Sequence, residues 1–381
     1  MPIDIYHLDY FKCFRSAEIK LNKITVLTGS NGTGKSSLIQ ALLLSRIAIE
    51  KNATRTAHDD FSVVSWKSLP VPLNDLYELR LGTIDQLFNL NEGKDIFHVR
   101  LNDDDFVFSI PKLADADDVL NVIFNSLGLQ NEHTPFWLKK QFYYLNTERL
   151  GPRLGLDAHH TDFVHCGHRG ELTGQVLFRY GLVHKITDER MHEYVKSPNL
   201  QQQADAWLGD ICPGTQGVVV KQTGVGRYQI TMRTSVAREE VLAPNVGFGI
   251  SYALPVIVDG LIAFPGSVFI VENPEAHLHP KGQSNMGYFL GIVAASGVKV
   301  IVETHSEHVV NGIRRASMSG KGLSPDELNI YFFELNAEGH TFQTISQNRL
   351  GDLDKFPADF FDQVNQDMSA LFMLKKRNAN G

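Results

Sequence analysis

The stretch Gly29-Ser-Asn-Gly-Thr-Gly-Lys-Ser36 decides the fold that this sequence predicts. It fits the phosphate-binding pattern G-x-x-x-x-G-K-[ST] without a mismatch, directly after the β-prone run Ile24-Thr-Val-Leu-Thr28 and before an apolar helical run. Glycines allow a turn tight enough for successive N–H groups to point at phosphate oxygens, and the following helix adds the positive end of its dipole. A chance glycine-rich turn would not share this strand–helix setting. The stretch therefore predicts a nucleoside triphosphate site, with Lys35 on the β/γ-phosphates and the Ser36 hydroxyl on Mg²⁺.

Composition narrows the class of protein. The 381 residues are 43% hydrophobic and 21% charged, which is ordinary for a globular chain and allows one large α/β domain or two modest ones. The formal net charge of −7 argues against a surface coated with DNA-binding charge, although it leaves room for a local basic patch. No apolar run is long enough to cross a bilayer, so we expect no membrane partner.

The cysteines and the N-terminus indicate a reducing compartment. Cys13, Cys166 and Cys212 are scattered without a C-x-x-C pair, which suggests neither a zinc site nor a disulfide framework. The start Met1-Pro-Ile-Asp-Ile-Tyr6 lacks the basic and apolar regions of a signal peptide. We therefore expect a cytoplasmic protein.

Two insertions are predicted within an α/β pattern. In the first, residues 76–109 alternate apolar and polar side chains around turn signals, which favours antiparallel hairpins. Residues 115–127 carry apolar side chains near helical spacing and are predicted as a helix. In the second insertion we expect a polar helix over 188–207 followed by two strands, and we expect the charged tail 374–381 to be frayed.

Two later strands each deliver an acid at their carboxyl end. Val268-Phe-Ile-Val-Glu272 continues into Asn273-Pro-Glu-Ala-His-Leu-His-Pro280, and Val300-Ile-Val-Glu-Thr-His-Ser306 carries a histidine at its edge. Ligands gather at this edge of open α/β sheets, and an acid there can hold Mg²⁺ opposite Ser36. Each feature alone is compatible with a satisfied polar residue beside the core. In this order, after a phosphate loop, they favour an ATPase site.

The order of these motifs resembles ABC-type ATPase heads of the RecF, SMC and OLD kind. More closely, it resembles stand-alone bacterial AAA ATPases that end in a small domain of unknown function. The resemblance implies an α/β P-loop NTPase head with a mixed sheet, an antiparallel β-rich subdomain and a helical/β insertion. It is carried by residues 8–14, 24–42, 245–255, 272–280, 303–308 and 351–362.

The resemblance implies a division of the chain. Residues 1–345 would form the head in two sequence halves, about 1–155 and 241–345. Residues 156–240 would be an insertion, and residues 346–381 a small C-terminal piece. The likeness brackets nearly the whole chain and covers the insertions least.

The resemblance also implies site residues for ATP and Mg²⁺. Ser36 and Glu272 would hold Mg²⁺, and His305 would sense the γ-phosphate. Gly249 and Ser251, at the start of a helix, would touch ATP bound to a second subunit, which implies a homodimer with ATP sandwiched between protomers. The phosphate-binding set would be Gly29, Asn31, Gly32, Thr33, Gly34, Lys35, Ser36 and Ser37.

One departure from the family pattern concerns the catalytic base. ABC enzymes carry a second acid after the Mg²⁺-binding one, and Asn273 stands at that place and cannot accept a proton. Glu275 would substitute if the turn brings it to the attacking water; otherwise ATP would act chiefly as a ligand that locks the dimer. We expect slow hydrolysis with Glu275 as the base.

For several other residues, the sequence is compatible with two different roles. Arg149 and Arg153 would reach phosphate or stay solvated, and Phe11 or Phe14 would stack on adenine or pack in the core. His277 and His279 are better placed at a dimer interface than on a metal. A second histidine cluster lacks a recognised zinc spacing and comprises His159, His160, His165 and His168.

Three functions compete at this point. The first is a dimerising ATP-driven switch that controls a separately encoded effector, such as a nuclease, or engages DNA, as in anti-phage defence or DNA maintenance. The second is a self-contained OLD-like nuclease, for which the residues after His305 are few and carry no clear Asp-x-Asp metal motif. The third is a transporter's ATPase subunit, which the segment at 245–255 does not fit.

Overall fold

A computed structural model describes residues 3–55, 60–62, 66–74, 76–88, 95–110, 117–126, 135–237, 239–337, 339–358 and 360–379. Strands are numbered in chain order: β1 Asp4–Phe11, β2 Phe14–Leu21, β3 Ile24–Gly29, β4 Thr54–Arg55, β5 Phe61–Ser62, β6 Trp66–Pro72, β7 Ile96–Leu101, β8 Asp104–Ser109, β9 Val119–Ser126, β10 Phe142–Leu145, β11 Leu156–Asp157, β12 Thr215–Gly224, β13 Arg227–Thr234, β14 Val241–Leu242, β15 Val268–Glu272, β16 Lys299–Glu303, β17 Leu328–Asn336 and β18 Gly339–Ile345. The α-helices are α1 Lys35–Asn52, α2 Thr173–Tyr180, α3 Leu200–Ile211, α4 Phe248–Ile262, α5 Pro280–Ala295, α6 Glu307–Met318 and α7 Gln363–Ala379.

The central sheet is mixed and contains the phosphate-loop strand. Its order is β10-β15-β16-β3-β17-β18, with β18 antiparallel to β17 and the other neighbours parallel. Strands β15 and β16 are buried along their whole length, as their continuous apolar runs predict. Because parallel strands share one carboxyl edge, the ends of β3, β15 and β16 meet there. The predicted α/β P-loop architecture is confirmed.

Two apolar layers cover the two faces of this sheet. Alternate side chains of β3 divide between them: Val26 joins the layer built with α3 to α6, and Leu27 joins the layer built with α1 and the first strands. This is the two-residue period of a strand buried on both faces. The phosphate loop is therefore held between two packed cores.

A second sheet forms the antiparallel β-rich part, with the order β2-β1-β7-β8-β9-β6. The β7–β8 hairpin confirms the pattern predicted for 76–109, although Leu76–Glu78 and Ile84–Gln86 are short 3₁₀ turns. The helix predicted over 115–127 is wrong where the chain is described, because that part is strand β9; residues 115, 116 and 127 lie outside the described ranges.

The helix prediction failed because the two-residue alternation of buried side chains, typical of a strand, is obscured in this segment. Leu120, Val122 and Phe124 are buried and alternate along β9, while Ile123 faces outward. The apolar side chain of Ile123 filled the gap in the alternation, so the pattern looked helical. Cross-strand pairing with β8 and β6 decided the outcome.

The segment predicted as an insertion, residues 156–240, contains α2, α3 and the strands of a small sheet in the order β11-β13-β12; β14, just after this segment, pairs with β13. Its two predicted strands are confirmed. The helix predicted over 188–207 is wrong in its first half, because Asp188–Arg190 is a single 3₁₀ turn and α3 begins only at Leu200. Pro198 explains this start, since proline restricts the residue before it to extended backbone.

The C-terminal segment ends in α7, so the frayed tail predicted for 374–381 is wrong as far as residue 379; residues 380 and 381 lie outside the described ranges. In the part of the chain that the structure describes, no helix combines the length and the apolar character needed to cross a membrane.

Candidate functional site

The phosphate loop closes around its lysine. Gly34, at the start of α1, has a φ of 102°. Lys35 is 3% exposed, and its ammonium donates to the carbonyl oxygens of Gly29 (3.0 Å) and Ser30 (2.6 Å). Burial lowers the pKa of Lys35, while the nearby Glu303 carboxylate acts in the opposite direction. The loop thus holds a cation at the amino end of a helix, an arrangement suited to phosphate.

Two loop glycines are required by close packing. A Cβ on Gly29 would lie 2.1 Å from the carbonyl oxygen of Phe333 on β17. A Cβ on Gly34 would lie 2.5 Å from the ring of Phe14. Phe14 is buried, and so is Phe11, whose ring packs on Phe97. Both phenylalanines therefore lie in the core, which was one of their two predicted interpretations.

The two strand-end acids lie side by side. Glu272 and Glu303 are register partners at the ends of β15 and β16. The Ser36 hydroxyl donates to Oε1 of Glu303 at 2.7 Å. Glu272 instead accepts from the Tyr144 hydroxyl and the Thr147 hydroxyl, both at 2.9 Å. The acid in contact with the phosphate-loop serine is therefore Glu303.

Burial is the main influence on the pKa values of these two acids. It raises the pKa of Glu303 to about 7, and the neighbouring Glu272 carboxylate adds to the rise. Burial also raises the pKa of Glu272, against the hydrogen bonds that Thr147 and Tyr144 donate. Two neighbouring buried carboxylates repel each other when both are charged, so a cation at this edge would stabilise both.

Glu275 and His305 connect the turn after β15 with the loop after β16. Oε1 of Glu275 accepts the backbone N–H of His305 at 2.8 Å, and Oε2 accepts the Thr304 hydroxyl at 2.7 Å. Nδ1 of His305 lies 2.9 Å from the carbonyl oxygen of Gly29. Burial, followed by the charge of Lys35, lowers the pKa of His305, which favours a neutral imidazole at the phosphate loop.

Arg149 holds the turn that carries Asn273. Asn273 has a φ of 44°, and its N–H donates to the carbonyl oxygen of Glu303 at 2.7 Å. The guanidinium of Arg149, 2% exposed, donates to the carbonyl oxygens of Asn146, Glu272 and Asn273. Burial lowers the pKa of Arg149 to about 10. Arg149 thus contacts backbone at the site, whereas Arg153 is exposed.

A cavity of about 470 Å³ lies over the phosphate loop. It brings together most of the predicted phosphate-binding residues with His305 and Asn273. Five of its residues had no role predicted from the sequence: Lys12, Cys13, Gln40, Thr147 and Glu303. For Glu303 a signal existed, because both strand runs end directly in an acid. The lining comprises Lys12, Cys13, Asn31, Gly32, Thr33, Gly34, Lys35, Ser36, Ser37, Gln40, Thr147, Asn273, Glu303 and His305.

Gly249 and Ser251 lie elsewhere, in the first turn of α4. Ser251 lines a different cavity, which it shares with Gly151 and Arg153. A Cβ on Gly249 would lie 2.7 Å from the carbonyl oxygen of His277, in the turn after β15. This surface is not part of the protomer's own phosphate-loop cavity.

The two groups of histidines considered in the sequence, one within residues 159–168 and one within residues 277–279, lie in different parts of the structure. The rings of His165 and His168 stack at 5.8 Å, and burial lowers the pKa of His165 to about 4. Within the described ranges, no group of three His, Cys, Asp or Glu side chains is arranged to hold a metal ion. His277 and His279 are exposed beside α4 and at the start of α5.

Three family models match segments of the chain. An AAA domain matches residues 7–107, an AAA ATPase domain matches residues 184–310, and a protein family of unknown function (DUF3696) matches residues 323–371. The first two contain the phosphate loop and both strand-end acids. Together with the fold, these two matches support a P-loop ATPase of the AAA type. The third match, at residues 323–371, overlaps the C-terminal piece predicted for residues 346–381. No curated protein matches the chain.

Solved structures of SMC heads are similar at low identity. The SMC head domain from Thermotoga maritima is 11% identical, with a TM-score of 0.43, covering 90% of this chain and 98% of that one. An Smc head domain with an extended coiled coil, bound to the C-terminal domain of ScpA derived from Pyrococcus furiosus, is also 11% identical, with a TM-score of 0.48, covering 98% and 99%.

Proposed function

We propose that this ATPase is a nucleotide-dependent switch that binds ATP with Mg²⁺, hydrolyses it slowly and closes into a homodimer around it. The observation that carries the proposal is the convergence of Lys35, Ser36, Glu303 and His305 on one cavity at the sheet edge. P-loop NTPases hold ATP and Mg²⁺ with a lysine at a helix N-terminus, a serine or threonine hydroxyl and a nearby carboxylate. A neutral histidine can also donate a hydrogen bond to a phosphate oxygen.

Each residue has a distinct part in the proposed reaction. Lys35 and the loop amides would hold the phosphates, and His305 would contact the γ-phosphate through its imidazole. Bound Mg²⁺ would neutralise the charge that develops on the phosphates. Glu275 is the proposed base, because the Thr304 and His305 donors fix its carboxylate beside the histidine. Slow turnover is expected because Asn273 occupies the position of the usual acid.

The dimer proposal rests on the exposed first turn of α4. Phe248 is 54% exposed there, and its ring lies 5.3 Å from that of His277, so the two form one surface. Gly249 and Ser251 on this surface would contact the triphosphate of a second protomer. No side chain caps the start of α4, and the positive end of a helix dipole is suited to such an anion.

The proposed output is control of a separately encoded effector, with a nuclease as the leading candidate and DNA as an alternative partner. Anti-phage defence or DNA maintenance is the proposed setting. A self-contained nuclease is disfavoured, because β17 and β18 after the His305 loop belong to the ATPase sheet.

The test compares ATP affinity with ATP-dependent mass. Lys35→Ala should weaken ATP binding by roughly two orders of magnitude, since it removes a charge-assisted contact, and should abolish any ATP-dependent dimer. Ser251→Glu should keep ATP binding and lose the dimer, because its charge would face the partner's triphosphate. Ser235→Glu, at the exposed end of the β12–β13 hairpin, is the matched control and should dimerise normally.

Calorimetry and mass photometry of the full chain measure these two quantities. If the unaltered protein binds no ATP, the ATPase proposal fails. If it binds ATP and stays monomeric, or if Ser251→Glu still dimerises, the interface proposal fails while the nucleotide site stands.

A further inference from the structure

The two strand-end acids differ in how their oxygens are satisfied. Both oxygens of Glu272 accept hydrogen bonds, from Tyr144 and from Thr147. In Glu303, Oε1 accepts from Ser36, whereas Oε2 is buried and has no hydrogen-bond partner. Glu303 as a whole is 4% exposed. Both oxygens of the Glu272 carboxylate therefore have hydrogen-bond donors within the protein, whereas only one oxygen of the Glu303 carboxylate has one.

The incomplete carboxylate faces the phosphate loop. Glu303 lines the cavity together with Lys35 and Ser36, and Glu272 is not among its lining residues. The ammonium of Lys35 does not satisfy Oε2, because it donates to the carbonyl oxygens of Gly29 and Ser30. A buried, unpaired carboxylate oxygen is unfavourable unless a cation or a hydrogen-bond donor reaches it.

Further unpaired oxygens lie at the same sheet edge. Oδ1 of Asn273, after β15, and the hydroxyl oxygen of Thr28, near the end of β3, are also buried without partners. Asn273 lines the same cavity as Glu303. The donor set at this edge is therefore composed of oxygens, the ligand type of a hard divalent cation and of the water molecules around it.

We propose that Glu303, rather than Glu272, is the carboxylate that holds Mg²⁺ with Ser36 when nucleotide binds. The inference rests on the proposed ATP-binding function and deepens it. Mg²⁺ in nucleotide sites is held by one or two carboxylates plus phosphates, and the 2.7 Å contact places a carboxylate next to the serine hydroxyl. The proposed metal-binding acid therefore lies at the end of β16, the direct neighbour of the phosphate-loop strand, and not at the end of β15 as the sequence predicts. Glu272 becomes a positioning residue that holds Tyr144 and Thr147.

The experiment measures how much Mg²⁺ strengthens ATP binding. Affinity for ATP is determined by calorimetry for the full chain in excess Mg²⁺ and in EDTA. In Glu303→Gln the strengthening by Mg²⁺ should fall by at least about tenfold, with affinity in EDTA close to that of the unaltered protein. Glutamine can still accept the Ser36 hydroxyl, so a purely structural role of Glu303 would leave the strengthening intact. Glu272→Gln is the matched control and should retain it.

Each outcome decides the proposal. Retained strengthening in Glu303→Gln overturns it, and so does equal loss in both variants. An unaltered protein that binds ATP equally well with and without Mg²⁺ overturns it as well, whereas a protein that binds no ATP under either condition refutes the proposed function itself. If Glu303→Gln fails to fold, Glu303→Asp takes its place, because it keeps the negative charge but shortens the side chain by one methylene. The strengthening of ATP binding by Mg²⁺ should again decrease in this variant.

Discussion

Glu275 accepts the backbone N–H of His305 at 2.8 Å, so the turn after one strand directly positions the histidine after the next. If Glu275 is the base, Glu275→Gln should lower ATP turnover by about 10²- to 10⁴-fold, the usual contribution of general-base catalysis. Steady-state phosphate release measures turnover, and calorimetry should show ATP affinity changed only a few-fold.

Glu307→Gln is the matched control for this prediction. Glu307 lies two residues after His305 in the first turn of α6, where it accepts from Asn311. Turnover of this variant should stay near that of the unaltered protein. Full turnover in Glu275→Gln at unchanged ATP affinity would remove Glu275 as the base.

Arg149 is predicted to be structural. Arg149→Ala leaves the carbonyl oxygens of Asn146, Glu272 and Asn273 without their donor, so the free energy of unfolding should fall by about 3 kcal/mol or more. Urea unfolding followed by circular dichroism measures the loss. Arg153→Ala, at an exposed position, should change stability by less than about 0.5 kcal/mol. Similar effects of the two substitutions would contradict the assignment.

Asp259 is predicted to make stability depend on pH. It is buried in α4, with Oδ1 accepting the N–H of Cys166 and Oδ2 unpaired, and burial raises its pKa from 3.8 to about 8. The folded state therefore holds this proton more tightly than the unfolded state. Its stabilising contribution is complete below about pH 4 and is lost as the pH rises through about 8.

Asp259→Asn should flatten this dependence and raise stability at pH 8, by at most about 5 kcal/mol for a shift of this size. Thermal unfolding at several pH values between 4 and 9 provides the measurement. Asp157→Asn, at an exposed position, should leave the slope unchanged. Parallel curves for Asp259→Asn and the unaltered protein would show that Asp259 does not titrate in this range.

The two glycines Gly29 and Gly32 provide a further test. Both have positive φ, but a Cβ on Gly29 would lie 2.1 Å from the oxygen of Phe333, whereas a Cβ on Gly32 meets nothing within 4 Å. Gly29→Ala should cost about 2–5 kcal/mol of unfolding free energy through strain and overpacking, and Gly32→Ala about 1–2 kcal/mol. Equal losses in urea unfolding would argue against the tight packing of Gly29.

The phosphate loop could be predicted because its information is local. Eight consecutive residues contain the glycines of the turn, the start of the helix and the lysine. The strand before them is recognisable as a short apolar run. The acids at the ends of β15 and β16 were equally visible, since parallel strands share an edge. Gly249 and Ser251 stay predictions, because their proposed partner is a second molecule.

The role of Glu303 could not be predicted, because it depends on strand order. The chain runs from β15 to β16, and only the fold shows that β16 lies between β15 and the phosphate-loop strand β3. That placement brings Glu303 to Ser36. The strand β9 was missed for a related reason: its pairing partners lie far away in sequence, while its own residues imitate a helix.

The position of β17 has a consequence for any shortened form of this protein. The segment that matches the family of unknown function begins at residue 323, yet β17 pairs along β3 and supplies the Phe333 oxygen beside Gly29. A fragment ending at residue 322 would lose one wall of its own nucleotide loop and leave β3 as a bare sheet margin, open to pairing with other chains. Fragments meant to retain the ATPase must extend beyond Ile345.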